Sequence, residues 1–196
     1  MKQFRLIVGD DYHHIRVRGL KITCDTSPPY FALNENAIGD YRTFAKLSPP
    51  LRTEADRQAI VAGIVDGTID CIASDHLPQD EEEKRLPFGV AATGGVGLET
   101  LLPMTLELYH NGHLSLLGAI RLVTSAPADL MRLRAGRLAV GRPADLAIFD
   151  PDRGWQVIAK NISSKSKNSP FDGRPVQGRA IRTVIDGRTV HVEQDG

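Results

Sequence analysis

The chain has 196 residues, 41% hydrophobic and 24% charged, enough for one ordinary globular domain with a real core. Its 24 basic and 24 acidic residues cancel, which argues against nucleic-acid and membrane-surface roles, since both normally carry a basic excess. No apolar run approaches the ~20 residues that span a bilayer, and Met1 to Val8 is too short and too soon charged for a secretory signal, so a cytoplasmic location is expected.

Residues 1–20 fit neither helix nor strand periodicity. His13-His14 reads as a solvated pair, because adjacent side chains on regular structure point in different directions. Lys21 to Cys24 reads as a short strand. Asp25 to Asp40 is a loop broken by Pro28-Pro29. Tyr41 to Leu47 reads as a second strand, ended by Pro49-Pro50. Thr53-Glu54-Ala55-Asp56 has the form of a capping box. The helix it opens is expected to run to Asp66 and stop at Gly67, with Ile60, Ile64 and Val65 buried. A third strand, Ile69 to Ala73, follows at once. Strand, helix and strand at this spacing form a crossover unit of a parallel sheet. Cys24 and Cys71 are isolated thiols on predicted strands, not a disulfide framework or a metal knuckle.

The apolar run Ile69 to Ala73 ends in Ser74-Asp75-His76. A buried parallel strand delivers a carboxylate to a barrel rim in this way, and barrel chemistry sits at the carboxyl ends of strands. Asp75 is therefore the first candidate catalytic residue; the alternative is an aspartate capping the following turn. Asp75 to Gly97 is a long loop holding the acidic run Asp80-Glu81-Glu82-Glu83 and the glycine tract Thr93-Gly94-Gly95-Val96-Gly97. Leu98 to Asn111 reads as a helix, with Pro103 in its first turn or at a kink. Ser115 to Thr124 and Pro127 to Leu133 read as two more. His110 and His113 suit a helix end, where imidazole complements the dipole.

After Gly136 the character changes. Ala144 to Asp150 reads as a strand. Ile181 to Ile185, Asp186-Gly187 and Arg188 to Val192 read as a hairpin with a type I′ turn. His191 is expected to face solvent, and Lys165, Lys167 and Arg174 to lie on a solvated loop.

Several runs together resemble the dihydroorotases of the amidohydrolase superfamily. They are Lys46-Leu47-Ser48-Pro49-Pro50-Leu51-Arg52, Asp66 to His76, Gly97-Leu98-Glu99-Thr100, Gly141 to Leu146, and Ser166-Lys167-Asn168-Ser169-Pro170-Phe171-Asp172-Gly173. The resemblance covers Arg18 to Val192. It implies an α/β fold: the C-terminal part of a (β/α)₈ TIM-type barrel, about three strands, plus a small C-terminal β-sandwich portion in which Trp155 packs. A whole barrel takes ~250 residues. The implied division is an unmatched segment at 1–20, a partial barrel at 21–135 and the sandwich portion at 136–196.

The implied activity is zinc-dependent interconversion of carbamoyl-aspartate and dihydroorotate; allantoinases and hydantoinases share the scaffold. Asp75 would touch the metal and shuttle the proton between the attacking hydroxide and the leaving nitrogen. Gly94 and Gly95 match a loop whose backbone contacts the pyrimidine ring, the alternative being a flexible surface loop. Ser48 stands where the family has Asn to hold substrate. Gln79 stands where the family has a substrate-binding His, and can still donate a hydrogen bond but carries no charge. Where the family has Thr-Pro-His-His with a metal-binding His, this chain has Ser27-Pro28-Pro29-Tyr30. The His-x-His motif and the other expected ligands lie in the part not matched. The chain alone is therefore expected to lack zinc and activity. Its expected partners are a missing N-terminal half, a second copy, or aspartate carbamoyltransferase. The competing readings are a catalytically silent scaffold for that transferase and a gene fragment without function.

Overall fold

The computed structural model describes residues 22–193. The expectations for residues 1–20, His13-His14 among them, lie outside the described residues. Two short parallel strands, β1 (Asp25–Thr26) and β2 (Cys71–Ile72), pair Asp25 with Cys71 and Thr26 with Ile72. The pairing extends a little at both ends. Asp70 N–H donates to Cys24 O, and Ala73 N–H to Thr26 O, each at 2.8 Å. The Asp70 carboxylate accepts from Cys24 N–H at 2.9 Å.

Between the strands lie a proline-led helix, α1 (Pro28–Ala32), two 3₁₀ turns, and α2 (Glu54–Val65). The capping box forms as read: Thr53 accepts from Asp56 N–H, and the Asp56 carboxylate accepts from Thr53 N–H. Val61 and Ile64 of α2 are buried. Val65, expected inside, is 49% exposed, because Val61, Ile64 and the half-buried Ile60 already fill the inward stripe.

About three parallel strands are expected; among the described residues two pair in parallel. Tyr41–Leu47 is not a strand but carries a 3₁₀ turn at Thr43–Ala45. The reason lies in its carbonyls. Those of Thr43 and Lys46 accept from the Lys84 ammonium, and that of Lys46 also from Gly94 N–H, so no ladder partner takes them. The acidic run also differs from expectation. It forms the first turn of a short helix, α3 (Glu81–Arg85), capped by the Asp80 side chain on Glu82 N–H, where acidic groups suit the helix dipole.

Helices α4 (Leu101–His110), α5 (Leu116–Val123) and α6 (Ser125–Leu130) follow. Pro103 lies in the first turn of α4, where its missing N–H would have no helical partner. Ser115 caps α5 through Gly118 N–H at 3.1 Å. Met104 and Leu106 of α4 are fully enclosed; each such side chain stabilises the fold by about 2 kcal/mol.

The chain ends in an antiparallel sheet in the order β3 (Leu146–Gln156), β4 (Pro175–Ile185), β5 (Arg188–Val192). Asp186 and Gly187 both have positive φ, +48° and +75°, as the type I′ turn requires. β4 packs on α4 at Gly178, where an added Cβ would overlap Leu106. Trp155 borders the main core and donates its indole N–H to Gly178 O at 3.0 Å.

Arg174 is not on a solvated loop. Its guanidinium grips Glu107 of α4 with two bonds of 3.1 and 3.0 Å and donates to Ala32 O of α1 at 3.2 Å. Burial raises the Glu107 pKa, and the Arg174 charge opposes that rise. Arg174→Ala would strand a half-buried carboxylate. We expect a loss of about 2–3 kcal/mol, read as a lower urea midpoint. A loss below about 0.5 kcal/mol would show the pair to be solvent-screened.

Candidate active site

Both parallel strands end on the same edge, and their exits carry the residues of interest. β1 leads into Ser27-Pro28-Pro29-Tyr30, and β2 into Ala73-Ser74-Asp75-His76. Asp75 is half-buried with φ +47°, a left-handed backbone that aspartate tolerates better than most residues. Such conformations concentrate at functional sites.

The glycine tract closes against this exit. Leu77 N–H donates to Gly95 O at 2.8 Å, within a parallel bridge of His76 with Gly95. Gly97 N–H donates to His76 Nδ1 at 3.2 Å, which places the proton of the neutral ring on Nε2. A Cβ on Gly97 would overlap the Ser74 carbonyl oxygen, so a hydrogen is what permits the approach. Gly95 is similarly confined by Pro170, whose Cδ would lie 2.9 Å from an added Cβ. Gly94, with φ +122°, combines a glycine-only backbone with contact to Leu77. The flexible-loop alternative for this tract does not hold: Gly94 to Gly97 are all buried.

Asn168, 2% exposed, ties the arrangement together. Its Oδ1 accepts from Gln79 N–H at 3.3 Å, and its Nδ2 donates to Gly94 O at 3.1 Å and Leu77 O at 3.4 Å. Gln79 donates its amide to Thr93 O at 2.8 Å. The chain from 79 to 93 therefore leaves and returns through one neck. Beside it, Gly94 N–H donates to Lys46 O at 3.0 Å, which brings in the turn that carries the exposed Ser48.

Ser48, Gln79, Gly94 and Gly95 thus lie on adjoining segments at the exit where Asp75 stands. One carboxamide proton of Gln79 is committed to Thr93; the second remains available. Asn168 and Lys84 escaped the sequence reading. The Asn168 signal was its place in Ser166 to Gly173; Lys84 follows the acidic run of a segment read as loop, with nothing local to mark it as buried.

A cavity of about 330 Å³ opens beside His76 and Val96, lined also by Leu98, Glu99, Thr100, Ile162, Ser163 and Ser164; none of Asp75, Ser48, Gln79, Gly94 and Gly95 lines it. Ser27 Oγ, 1% exposed, has no hydrogen-bond partner among the described residues. Where the family resemblance places histidine, Pro29 is buried and the Tyr30 hydroxyl donates to Pro49 O at 3.0 Å. Among the described residues no group of three or more His, Cys, Asp or Glu is placed to hold a metal. A catalytic zinc takes three protein ligands, so the described residues do not fit a complete zinc site; Asp75 is the ligand that the family resemblance implies among them.

Comparison with known proteins places these features in context. The Amidohydrolase family profile matches residues 8–190. A dihydroorotase of Anaplasma phagocytophilum is 51% identical over 173 residues, 88% of this chain and 39% of that protein. A dihydroorotase of Geobacter sp. is 47% identical over 176 residues, 90% of this chain and 41% of its own. The L-hydantoinase (dihydropyrimidinase) structure from Arthrobacter aurescens superposes with a TM-score of 0.86 at 31% identity, covering 95% of this chain and 43% of that one. The chain spans about two fifths of the length of the curated relatives it matches.

Proposed function

Since the chain belongs to the amidohydrolase family, we propose that it forms the C-terminal part of a dihydroorotase-type cyclic amidohydrolase site. The observation that carries this is the left-handed Asp75 at the β2 exit, between Ser74 and His76, both of which meet a buried glycine tract pinned by Asn168. Asp75 takes the proton from the attacking water and returns it to the departing ring nitrogen. Backbone groups at Gly94 and Gly95, with Ser48 and Gln79, orient the cyclic amide. The finer fold reading is likewise a proposal: β1 and β2 are two strands of a TIM-type barrel, and β3–β5 are one layer of a sandwich.

In the reading implied by the family, a zinc held in part by Asp75 would supply water activation. Its further ligands are proposed to come from a complementary polypeptide resembling the rest of a dihydroorotase. Exposed apolar side chains support an association of this kind: Leu133, Leu138 and Val140 are 59%, 81% and 107% exposed. Self-association and a carbamoyltransferase are the other proposed partners. One observation favours a second reading, a catalytically silent scaffold: Pro29 and Tyr30 stand where the family has two histidines, one of them a metal ligand, and the Tyr30 hydroxyl is bonded to Pro49 O.

Complementation separates the two. The chain is mixed with the N-terminal part of the Geobacter relative that it does not match, and dihydroorotate ring opening and bound zinc are measured. Turnover in the mixture, with none from the chain alone, supports the enzyme reading. A well-formed complex without zinc or turnover supports the scaffold. Turnover by the chain alone refutes the need for a complement.

A further inference from the structure

Lys84 is the most unusual buried group outside the reaction itself. It is 2% exposed, and its ammonium donates to three carbonyls rather than to a carboxylate. Burial, with the nearby charge of Lys46, pushes its pKa down to about 8. An ammonium buried without an acid is expensive, and an apolar side chain would fill the space at lower cost. Three N–H donors meet three acceptors, however: Thr43 O at 2.8 Å, Ala92 O at 2.9 Å and Lys46 O at 3.3 Å. The Thr43 hydroxyl donates back to Lys84 O at 2.5 Å.

The identity of these acceptors gives the group its meaning. Lys46 begins the turn that carries Ser48, and its carbonyl also accepts Gly94 N–H. Ala92 leads directly into Thr93, Gly94 and Gly95. We infer that Lys84 is a positioning residue, whose ammonium locks the Lys46–Ser48 turn to the Ala92–Gly95 tract and so fixes the substrate-facing rim. It touches neither substrate nor reacting atoms. It acts through the carbonyls of Lys46 and Ala92, which orient the backbone that does. The assignment rests on the dihydroorotase reading above.

The test compares the wild-type complemented assembly with Lys84→Met and Lys84→Arg on dihydroorotate, measuring KM and kcat separately. Hydrogen exchange of the Gly94 amide is followed in the chain alone. Lys84→Met keeps length and removes the donors. It should raise KM about tenfold or more, leave kcat within about threefold, and speed Gly94 exchange at least about tenfold. A retained KM, or unchanged Gly94 protection, overturns the assignment. So does a fall in kcat at constant KM, which would report only lost folded protein. Should Lys84→Met fail to fold, Lys84→Arg decides. It keeps the charge but spreads its donors over a planar fork, so KM should rise at least about threefold. An unchanged KM in that variant overturns the assignment. A wild-type assembly inactive on dihydroorotate refutes the functional reading itself, before any variant is compared, and this assignment with it.

Discussion

Asp75→Asn in the complemented assembly should lower kcat by ~10²-fold or more while KM stays within about threefold. The amide has nearly the shape of the carboxylate and can adopt the same left-handed backbone, since asparagine and aspartate both tolerate it. The turn at φ +47° should therefore survive, and the β2 exit with it. What the amide cannot do is accept a proton from water and return it to nitrogen. A loss of rate at constant KM is the mark of a group that acts in the transition state rather than in binding. Asp75→Ala, which also removes the polar side chain, should be no faster. Near-full turnover by Asp75→Asn would remove Asp75 from the reaction and leave it as a turn-capping residue.

Gly97→Ala should cost about 2–3 kcal/mol and lower the melting temperature by about 5–10 °C. A single methyl has this reach because of where it would go. It would overlap the Ser74 carbonyl oxygen, lie 3.2 Å from the Ser74 carbonyl carbon, and come within 3.8 Å of His76 N. Backbone is on both sides, so no side chain can swing away. Either the glycine tract retreats from the strand exit or the exit itself moves, and the Gly97–His76 bond is lost in both cases. Gly89→Ala is the control, because its Cβ would meet nothing within 4 Å. Equal melting temperatures for the two variants would show that the exit and the tract are not closely packed in solution.

The elements that could be read from sequence were those whose ends are written in local chemistry. Thr53 with Asp56, Ser115 and the Asp186-Gly187 turn each act over three or four residues, so the sequence displays them whole. Tyr41–Leu47 was misread for the opposite reason. It is a short run bounded by Pro49-Pro50, as a strand would be, yet its carbonyls are taken by Lys84 and Gly94, about 40–50 residues away in sequence. No local pattern encodes that. Arg174 misled in the same way: it sits in a basic stretch, and its partner Glu107 lies 67 residues earlier. Among the site candidates, Asp75 stood out through the apolar run that delivers it. The convergence of Ser48, Gln79 and the glycines depended on the family resemblance, because Asn168 joins the Gln79 and glycine segments from 74 and more residues away, and Gly94 reaches back to Lys46.

The neck formed by Gln79 and Thr93 has a consequence for engineering. The two residues are joined at 2.8 Å, so the excursion between them begins and ends at nearly one point. Extra length in such an excursion costs little, roughly 0.6 kcal/mol per doubling, because its ends are already closed. Arg85 and Leu86 are both exposed where α3 ends, one residue beyond the Lys84 anchor. A short reporter peptide or fluorophore tag inserted between them would hang outside the molecule, with the neck and the anchor untouched. It would stand beyond the neck, and its signal could report changes at the Gly94–Gly95 tract without a label on any residue of the proposed site.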